Sequence, residues 1–234
     1  MMLDSGAENK GLEFFGSGHE TGSMYEPADR DMTEPRSKIL LDFAKWTALS
    51  ALRSGAPIKS RMDVYRLLDA VAFAHILQPG PPISGVDFDE WHKRQTRELC
   101  GRDRRVPIGW GAKLINVFLK TAAYVGDLGR PNLRNVIHPP IDAGLWAGIA
   151  KRFPERRDIL DDVRCVLRIK DIADYATYLR IVVGCRAAAK TLGCSLIEVE
   201  QLWQGAATPE VEQCAPPNGG PAAPLDNSRA TEAP

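Results

Sequence analysis

Apolar residues recur every three to four positions through the middle of the chain, and this spacing predicts helices rather than strands. A clear case lies within residues 39–49, where the apolar positions are Ile39, Leu40, Phe43, Trp46 and Leu49. The alternation of apolar and polar residues that is typical of a half-buried strand is nearly absent. Only the triplet at 181–183, Ile-Val-Val, is ambiguous. The expected fold class is therefore all-α.

Residues that start and stop helices divide this region into eight predicted helices. Thr33 is expected to cap the first helix before Pro35, and Gly55 to end it. Asp142 is expected to cap the fifth. Ser195 and Glu198 form a capping box that opens the last one. The remaining helices are expected from Asp63 to the PGPP segment at 79–82, and over 87–101, 111–125, 155–166 and 174–192.

The two ends of the chain differ in composition from its middle. Residues 1–32 are rich in Gly, Ser, Glu and Asp, and residues 206–234 are rich in Pro, Ala and Gly. Such segments bury too little apolar surface to offset the entropy lost on ordering, so we expect both to be disordered. The expected folded unit is one helical domain over residues 33–205, which is long enough for a substantial core.

The charge of the chain is balanced overall and uneven locally. Lys plus Arg and Asp plus Glu both number 30, which argues against a protein coated in basic charge. Residues 92–120, however, hold eight basic residues and two acidic ones. A local basic surface of this kind suits contact with phosphates, although as a bland alternative it is a solvated helix face.

The five cysteines are odd in number and form no CxxC pair, so neither a disulfide framework nor a cysteine metal site is expected. The N-terminal residues do not form a secretory signal, and no apolar run is long enough to span a bilayer. We therefore expect a cytoplasmic protein, nucleoid-associated if prokaryotic, with no membrane contact.

Residues 106–120, VPIGWGAKLINVFLK, contain the first chemically suggestive motif. Gly109 and Gly111 flank Trp110 just before a predicted helix, where a turn would present backbone N–H groups to a phosphate. Lys113 follows in the first turn of that helix. A cation there is unfavourable with the helix dipole, so its position is either incidental or functional. Lys120 lies seven residues later on the same helix face and is the reserve nucleophile.

Residues 138–146, HPPIDAGLW, contain the second motif. The two prolines favour an extended approach, after which Asp142 is placed to cap the next helix. A carboxylate held by backbone donors stays ionised. It could then stabilise the positive charge that develops on a sugar when a glycosidic bond breaks.

Taken in order, the two motifs resemble the helix-hairpin-helix–Gly/Pro–Asp superfamily of DNA glycosylases, in particular the compact, all-helical 8-oxoguanine DNA glycosylases. That family has a Gly-x-Gly-x-Lys hairpin with a nucleophilic lysine, matched here by residues 109–113. Its Pro-x-Asp turn, with an aromatic residue shortly after, is matched by Pro140-Ile141-Asp142 and Trp146. Asp142 follows Lys113 after 29 residues, a longer interval than in the common eukaryotic and bacterial enzymes.

The resemblance implies a helix-hairpin-helix DNA-glycosylase-like domain that excises bases from double-stranded DNA, with or without AP lyase activity. Lys113 would be the nucleophile and Asp142 would stabilise the sugar cation. No metal or cofactor is expected, and a monomer is favoured. The expected DNA contacts are Gly109, Trp110, Gly111, Arg102, Arg104, Arg105, Lys120 and Arg130.

Each of these residues also has a plainer interpretation. Lys113 can be a solvated helix lysine, and Trp110 can pack in the core rather than enter a DNA groove. His138 is favoured as a loop histidine over a metal or proton role, and Trp91 and His92 as helix-interface residues. The alternative functions are a non-catalytic DNA-binding or protein-interaction module on the same fold, or an unrelated helical partner-binding protein.

Overall fold

A computed structural model describes residues 34–52 and 55–205. The proposed Thr33 cap and the two ends expected to be disordered, 1–32 and 206–234, lie outside these ranges. Within them the chain forms helices and no strand, which confirms the all-α prediction. The ambiguous triplet at 181–183 lies inside a helix. None of the helices in these ranges is long and apolar enough to cross a membrane.

Nine α-helices make up the fold. They are α1 Pro35–Ser50, α2 Arg61–Asp69, α3 Ala74–Leu77, α4 Gly85–Arg102, α5 Ile108–Leu119, α6 Leu133–Val136, α7 Ala143–Arg152, α8 Arg157–Val163 and α9 Tyr175–Leu192, counted over the described residues. A π-helical turn, Lys120–Val125, continues α5. Two 3-10 turns, Ile169–Asp171 and Ile197–Leu202, precede and follow α9.

Side-chain caps explain where several helices begin. Asp142 and Asp174 accept backbone N–H groups at the starts of α7 and α9, and Asp142 thus confirms the sequence-based prediction. The Ser195 N–H donates to the Glu198 carboxylate at 2.8 Å, but the Glu198 N–H donates to the Ser195 carbonyl, so one of the two bonds of the expected capping box forms. The segment that follows is a 3-10 turn rather than the α-helix we expected.

Helix α5 lies between two apolar clusters. One cluster is built mainly from α1 to α5, and the other from α7 to α9 with the flanking segments. Every residue of α5 from Gly109 to Leu119 is buried. The polar side chains of this helix, Lys113 and Asn116, therefore lie inside the protein, against α4, α9 and the start of α7.

The prediction for α1 had the wrong end, because the helix stops at Ser50 rather than at Gly55. Its apolar residues lie on two sides. Ile39, Phe43 and Trp46 are 70%, 49% and 55% exposed, whereas Ala44 and Ala48 are fully buried. Small residues face inwards because α1 packs closely on α5 and on the π-helical turn. Leu40 and Leu49 are partly buried against the core, so the five apolar positions with helical spacing divide between the inner and outer sides of the helix.

Two other helix predictions also had wrong boundaries. The run expected from Asp63 to the PGPP segment is two helices, α2 and α3. The helix expected to begin at residue 111 begins at Ile108, so that Gly109, Trp110 and Gly111 lie inside its first turns rather than in a turn before it.

Candidate functional site

The structure brings Lys113 and Asp142 together. The Lys113 Nζ donates to Asp142 Oδ2 at 2.9 Å. The Lys113 side chain is 7% exposed and that of Asp142 is 22% exposed. Lys113 projects from the buried helix α5, and Asp142 is the N-cap of α7, so the pair joins the two helices across the centre of the molecule.

The other carboxylate oxygen of Asp142 accepts three further hydrogen bonds. Its donors are the backbone N–H groups of Gly144 and Leu145, at 3.0 and 3.1 Å, and the indole Nε1–H of Trp203, at 2.9 Å. Burial by itself would raise the pKa of Asp142. The Lys113 ammonium and these donors outweigh burial and hold the pKa below its ordinary value. Asp142 is therefore an ionised carboxylate at neutral pH.

A second lysine–carboxylate pair lies beside the first. Lys120 Nζ contacts Glu200 Oε1 at 2.7 Å, and Glu200 also interacts electrostatically with Asp142 and Lys113. Burial raises the pKa of Glu200 above its ordinary value, although Lys120 opposes this. Lys113 and Lys120, which we expected on the same helix face, are thus each paired with a carboxylate, Lys113 with Asp142 and Lys120 with Glu200.

A cavity of about 510 Å³ opens next to these pairs. Trp203 and Glu200 connect it to the Lys113–Asp142 pair, because both line the cavity and both interact with Asp142. Its full lining consists of Lys120, Tyr124, Ile197, Glu198, Glu200, Gln201 and Trp203. Two aromatic rings, two carboxylates, an amide and the Lys120 amine thus line this open cavity.

The last described residues, 202–205, form a strap that covers the start of α7. Gln204 N–H donates to Gly144 O at 3.1 Å, beside the Trp203 contact to Asp142. A Cβ on Gly144 or Gly148 would collide with strap atoms, with the Leu202 carbonyl in the case of Gly148. The two glycines, four residues apart, thus let the strap lie directly on the α7 backbone.

The glycine segment before Lys113 has a packing role that we had not expected. The Gly109 N–H donates to Ile172 O at 3.1 Å, so it is not free to bind a phosphate in this arrangement. A Cβ on Gly109 would collide with the Ile169 carbonyl, and one on Gly111 would lie 2.6 Å from Cys100 Sγ. Trp110 is 5% exposed and lies in the core, with Lys113 Nζ 5.5 Å from its ring centroid.

The arginines expected to contact DNA lie elsewhere on the surface. Arg102 and Arg104 are exposed. Arg105 is held by Asp103 and Asp63, at 2.6 and 3.2 Å. Arg130 donates to the Pro81 carbonyl at 2.7 Å. In the described part of the chain none of the four lines the cavity, so the structure brings together Lys113, Lys120 and Asp142 of the predicted site but not its arginines.

His92 and His138 are fully buried and belong to one polar cluster, while Trp91 packs in the core. His138 lies in the loop between α6 and α7, as expected, but it is fully buried and hydrogen-bonded to Tyr178 and Asp89. Across residues 34–52 and 55–205, no three His, Cys, Asp or Glu side chains are grouped so that they could hold a metal ion.

The chain matches no protein-family model, and no curated protein or solved structure matches it either. The resemblance to DNA glycosylases thus depends on the two sequence motifs, of which the first forms the start of helix α5 and not a hairpin.

Sequence reasoning missed Glu200, Tyr124 and Trp203. They lie far from Asp142 in the sequence, and no motif marks them. The nearest sequence signal is the predicted capping box at Ser195 and Glu198. It marks where the segment that contains Glu200 and Trp203 begins, but it does not show which of its side chains face Asp142.

Proposed function

We propose that this protein is a base-excision DNA glycosylase in which Lys113 is the nucleophile and Asp142 stabilises the sugar cation. One observation carries the proposal: the two side chains, 29 residues apart in sequence, meet at 2.9 Å in a largely buried site. The site adjoins a cavity lined by aromatic and acidic side chains. A lysine and a carboxylate in this relation suit attack on a carbon that becomes cationic.

The reaction follows from these two groups. Lys113, once deprotonated, forms a bond from Nζ to the deoxyribose C1′ while the glycosidic C–N bond breaks. The departing base takes the bonding electron pair and then a proton. The nitrogen then loses one proton, and the C1′–O4′ bond breaks with protonation of O4′ to give a protonated imine. Removal of a C2′ proton would next break the C3′–O bond and release the 3′ phosphate. Asp142, ionised and fixed by three donors, offsets the charge on C1′.

The cavity supports the same proposal on the substrate side. A base in duplex DNA must leave the stack before an enzyme can reach its sugar, and it then needs a pocket. Trp203 and Tyr124 offer aromatic faces for stacking, and Gln201 offers an amide for hydrogen bonding. Glu200, with its raised pKa, is positioned at the cavity wall to exchange a proton.

The alternative is a non-catalytic helical module in which the Lys113–Asp142 pair only joins two helices. The low exposure of Lys113 and the Trp203 strap over Asp142 favour this alternative, because substrate must displace the strap to reach the amine. The charged groups in a buried pair do not need a catalytic role to persist.

Borohydride trapping separates the two functions. Purified protein is incubated with duplex DNA carrying 8-oxoguanine, uracil or an abasic site, and the imine is reduced to a covalent adduct. We expect an adduct with at least one substrate, its loss in Lys113→Gln, and its retention in Lys151→Gln, which alters an exposed lysine on α7. Asp142→Asn keeps a capping residue but removes the charge, so it should slow adduct formation by about 100-fold. Absence of adduct from all three substrates, with salt-sensitive duplex binding, would favour the module.

A further inference from the structure

A buried polar cluster lies one helical turn from Lys113. It consists of side chains from α4, α5, α9 and the segment before α7: His92, Asn116, His138, Tyr175 and Tyr178. His92, Asn116 and His138 are fully buried, and the two tyrosines are 3% and 1% exposed. Buried polar groups are costly unless each finds a partner, so the cluster calls for an explanation.

The donor and acceptor roles in this cluster can be assigned from its geometry. His92 Nε2 lies 2.9 Å from Asn116 Oδ1, which can only accept, so His92 carries its proton on Nε2. Its Nδ1 then accepts from the Tyr175 hydroxyl at 2.8 Å. Burial holds the pKa of His92 well below its ordinary value, which agrees with a neutral ring.

The remaining hydrogen bonds of the cluster, from Asn116 to Asp89, are donated in the same direction. Asn116 Nδ2 donates to the Tyr178 hydroxyl at 2.9 Å, and that hydroxyl donates to His138 Nδ1 at 3.0 Å. His138 Nε2 donates to Asp89 at 2.8 Å, and Asp89 is also paired with Arg186 at 2.7 Å. Every hydrogen bond from Tyr175 to Asp89 is thus donated in one direction, and each polar atom in the series is satisfied.

Asn116 makes one further contact, and it leads to the candidate site. Its second Nδ2 proton donates to the Pro139 carbonyl at 3.1 Å. Pro139 precedes Pro140, Ile141 and Asp142. Pro140 has a fixed φ, and packing around the buried Ile141 restricts its torsions. Few torsions are therefore free to change between the Pro139 carbonyl and the Asp142 carboxylate. Asn116 lies three residues after Lys113 on the same side of α5.

We propose that Asn116 is a positioning residue, which holds the segment 139–142 so that the Asp142 carboxylate faces the Lys113 amine. Its amide is fixed by Tyr178 and His92, and it fixes the Pro139 carbonyl in turn. The hydrogen-bonded cluster therefore sets the distance between the Lys113 Nζ and the Asp142 carboxylate. This inference concerns the pair itself, and it bears on catalysis only through the proposed glycosylase function.

The test measures the pair directly and needs no enzyme activity. The pKa of Asp142 is followed by carbon-detected NMR titration of its side-chain carboxylate in the full-length protein, in wild type and in Asn116→Leu. Leucine has a similar shape and cannot donate to Pro139. We expect the Asp142 pKa to rise by about one unit towards its ordinary value, because the carboxylate moves away from the ammonium.

Tyr175→Phe is the matched control. It removes a hydroxyl from the same cluster, at the end remote from Pro139, and leaves both donated bonds of Asn116 in place. We expect it to lower stability while leaving the Asp142 pKa unchanged. If Asn116→Leu does not fold, Asn116→Ser serves instead, since its short hydroxyl cannot span the same partners.

Two outcomes overturn the inference: an unchanged Asp142 pKa in a folded Asn116 variant, or an equal shift in Tyr175→Phe. Where trapping activity is present, single-turnover adduct formation should also fall by about 100-fold in the Asn116 variant with DNA affinity retained. A protein with no activity on any substrate, but with the expected pKa shift, would contradict the proposed function and leave the positioning role intact.

Discussion

Trp203 donates its indole N–H to the same Asp142 oxygen that caps helix α7, at 2.9 Å. Trp203 lies in the strap, at the end of the described chain, and the oxygen belongs to the carboxylate that pairs with Lys113. The strap thus covers the candidate site by a bond to one of its two central residues.

Trp203→Phe should loosen the strap while keeping an aromatic ring in place. Loss of the N–H donor should reduce the free energy of unfolding by about 1.5 kcal/mol, because a partly exposed bond to a carboxylate lies at the low end for charged acceptors. Lys113 should become more accessible, and mass spectrometry can follow its acetylation by a succinimidyl ester. The control is Trp46→Phe, on the exposed face of α1. Equal acetylation rates in all three proteins would show that the indole bond does not close the strap.

Gly148→Ala should displace the same strap by a steric route. The added methyl group would collide with the Leu202 carbonyl, so we expect a loss of about 1–3 kcal/mol in the free energy of unfolding. The backbone N–H of Gln204, which donates to Gly144 O, should exchange its hydrogen with solvent faster than in the wild type. Gly101→Ala is the matched control, since a Cβ there meets no atom within 4 Å on an exposed helix position. Unchanged exchange at Gln204 would contradict a direct contact between strap and helix.

The buried histidines predict a loss of stability in mild acid. Burial lowers the pKa values of His92 and His138 in the folded protein, so the unfolded chain binds protons more readily as pH falls. The stability they confer is complete above the unfolded value of about 6.5 and decreases below it, by up to about 1.4 kcal/mol per pH unit for each proton. Urea unfolding between pH 7.5 and 5 measures this slope.

The control is His75→Gln, which removes an exposed histidine on α3. This variant should show the same slope of stability against pH as the wild type. Asp89 and Asp142 have lowered pKa values, so their contribution is lost in a separate range, below about pH 4. A flat profile between pH 7.5 and 5 would mean that the two histidines do not stay neutral in the fold.

The outward face of α1 predicts unequal tolerance to substitution along one helix. Phe43→Ser removes a half-exposed ring that contacts Trp46, so the free energy of unfolding should change by less than about 0.5 kcal/mol. Ala48→Leu places a larger side chain in a fully buried position and should cost about 1–3 kcal/mol. Thermal denaturation of the two variants checks the order. A greater loss in Phe43→Ser would mean that this stripe is buried in solution.

The parts of the structure that could be predicted from sequence are those set by neighbouring residues. Asp142 as the cap of α7 follows from a carboxylate placed after two prolines, and the helical class follows from local spacing. The position of Gly109 and Gly111 could not be inferred in this way. Glycines mark a turn or a close contact equally well, and only the approach of Ile169 and Cys100 decides for close contact.

The buried cluster and the cavity could not be predicted from neighbouring residues either, but the cause is different. His92 and Tyr175 lie 83 residues apart, and Lys120 and Glu200 lie 80 apart, so their contacts depend on how whole helices pack. A polar residue on an otherwise apolar helix, such as Asn116, indicates that a buried partner exists, but it does not identify that partner.

The common direction of the hydrogen bonds from Tyr175 to Asp89 links a solvent-facing ion pair to the interior. No single bond in the series can reverse, because each group that accepts from one neighbour donates to the next. Asp89, ionised beside Arg186, accepts the final proton and thereby selects the tautomer of His138, whereas the Pro139 carbonyl orients the Asn116 amide that sets the tautomer of His92. The charge of one partly exposed carboxylate therefore determines which nitrogen carries the proton on His138, a histidine that solvent does not reach.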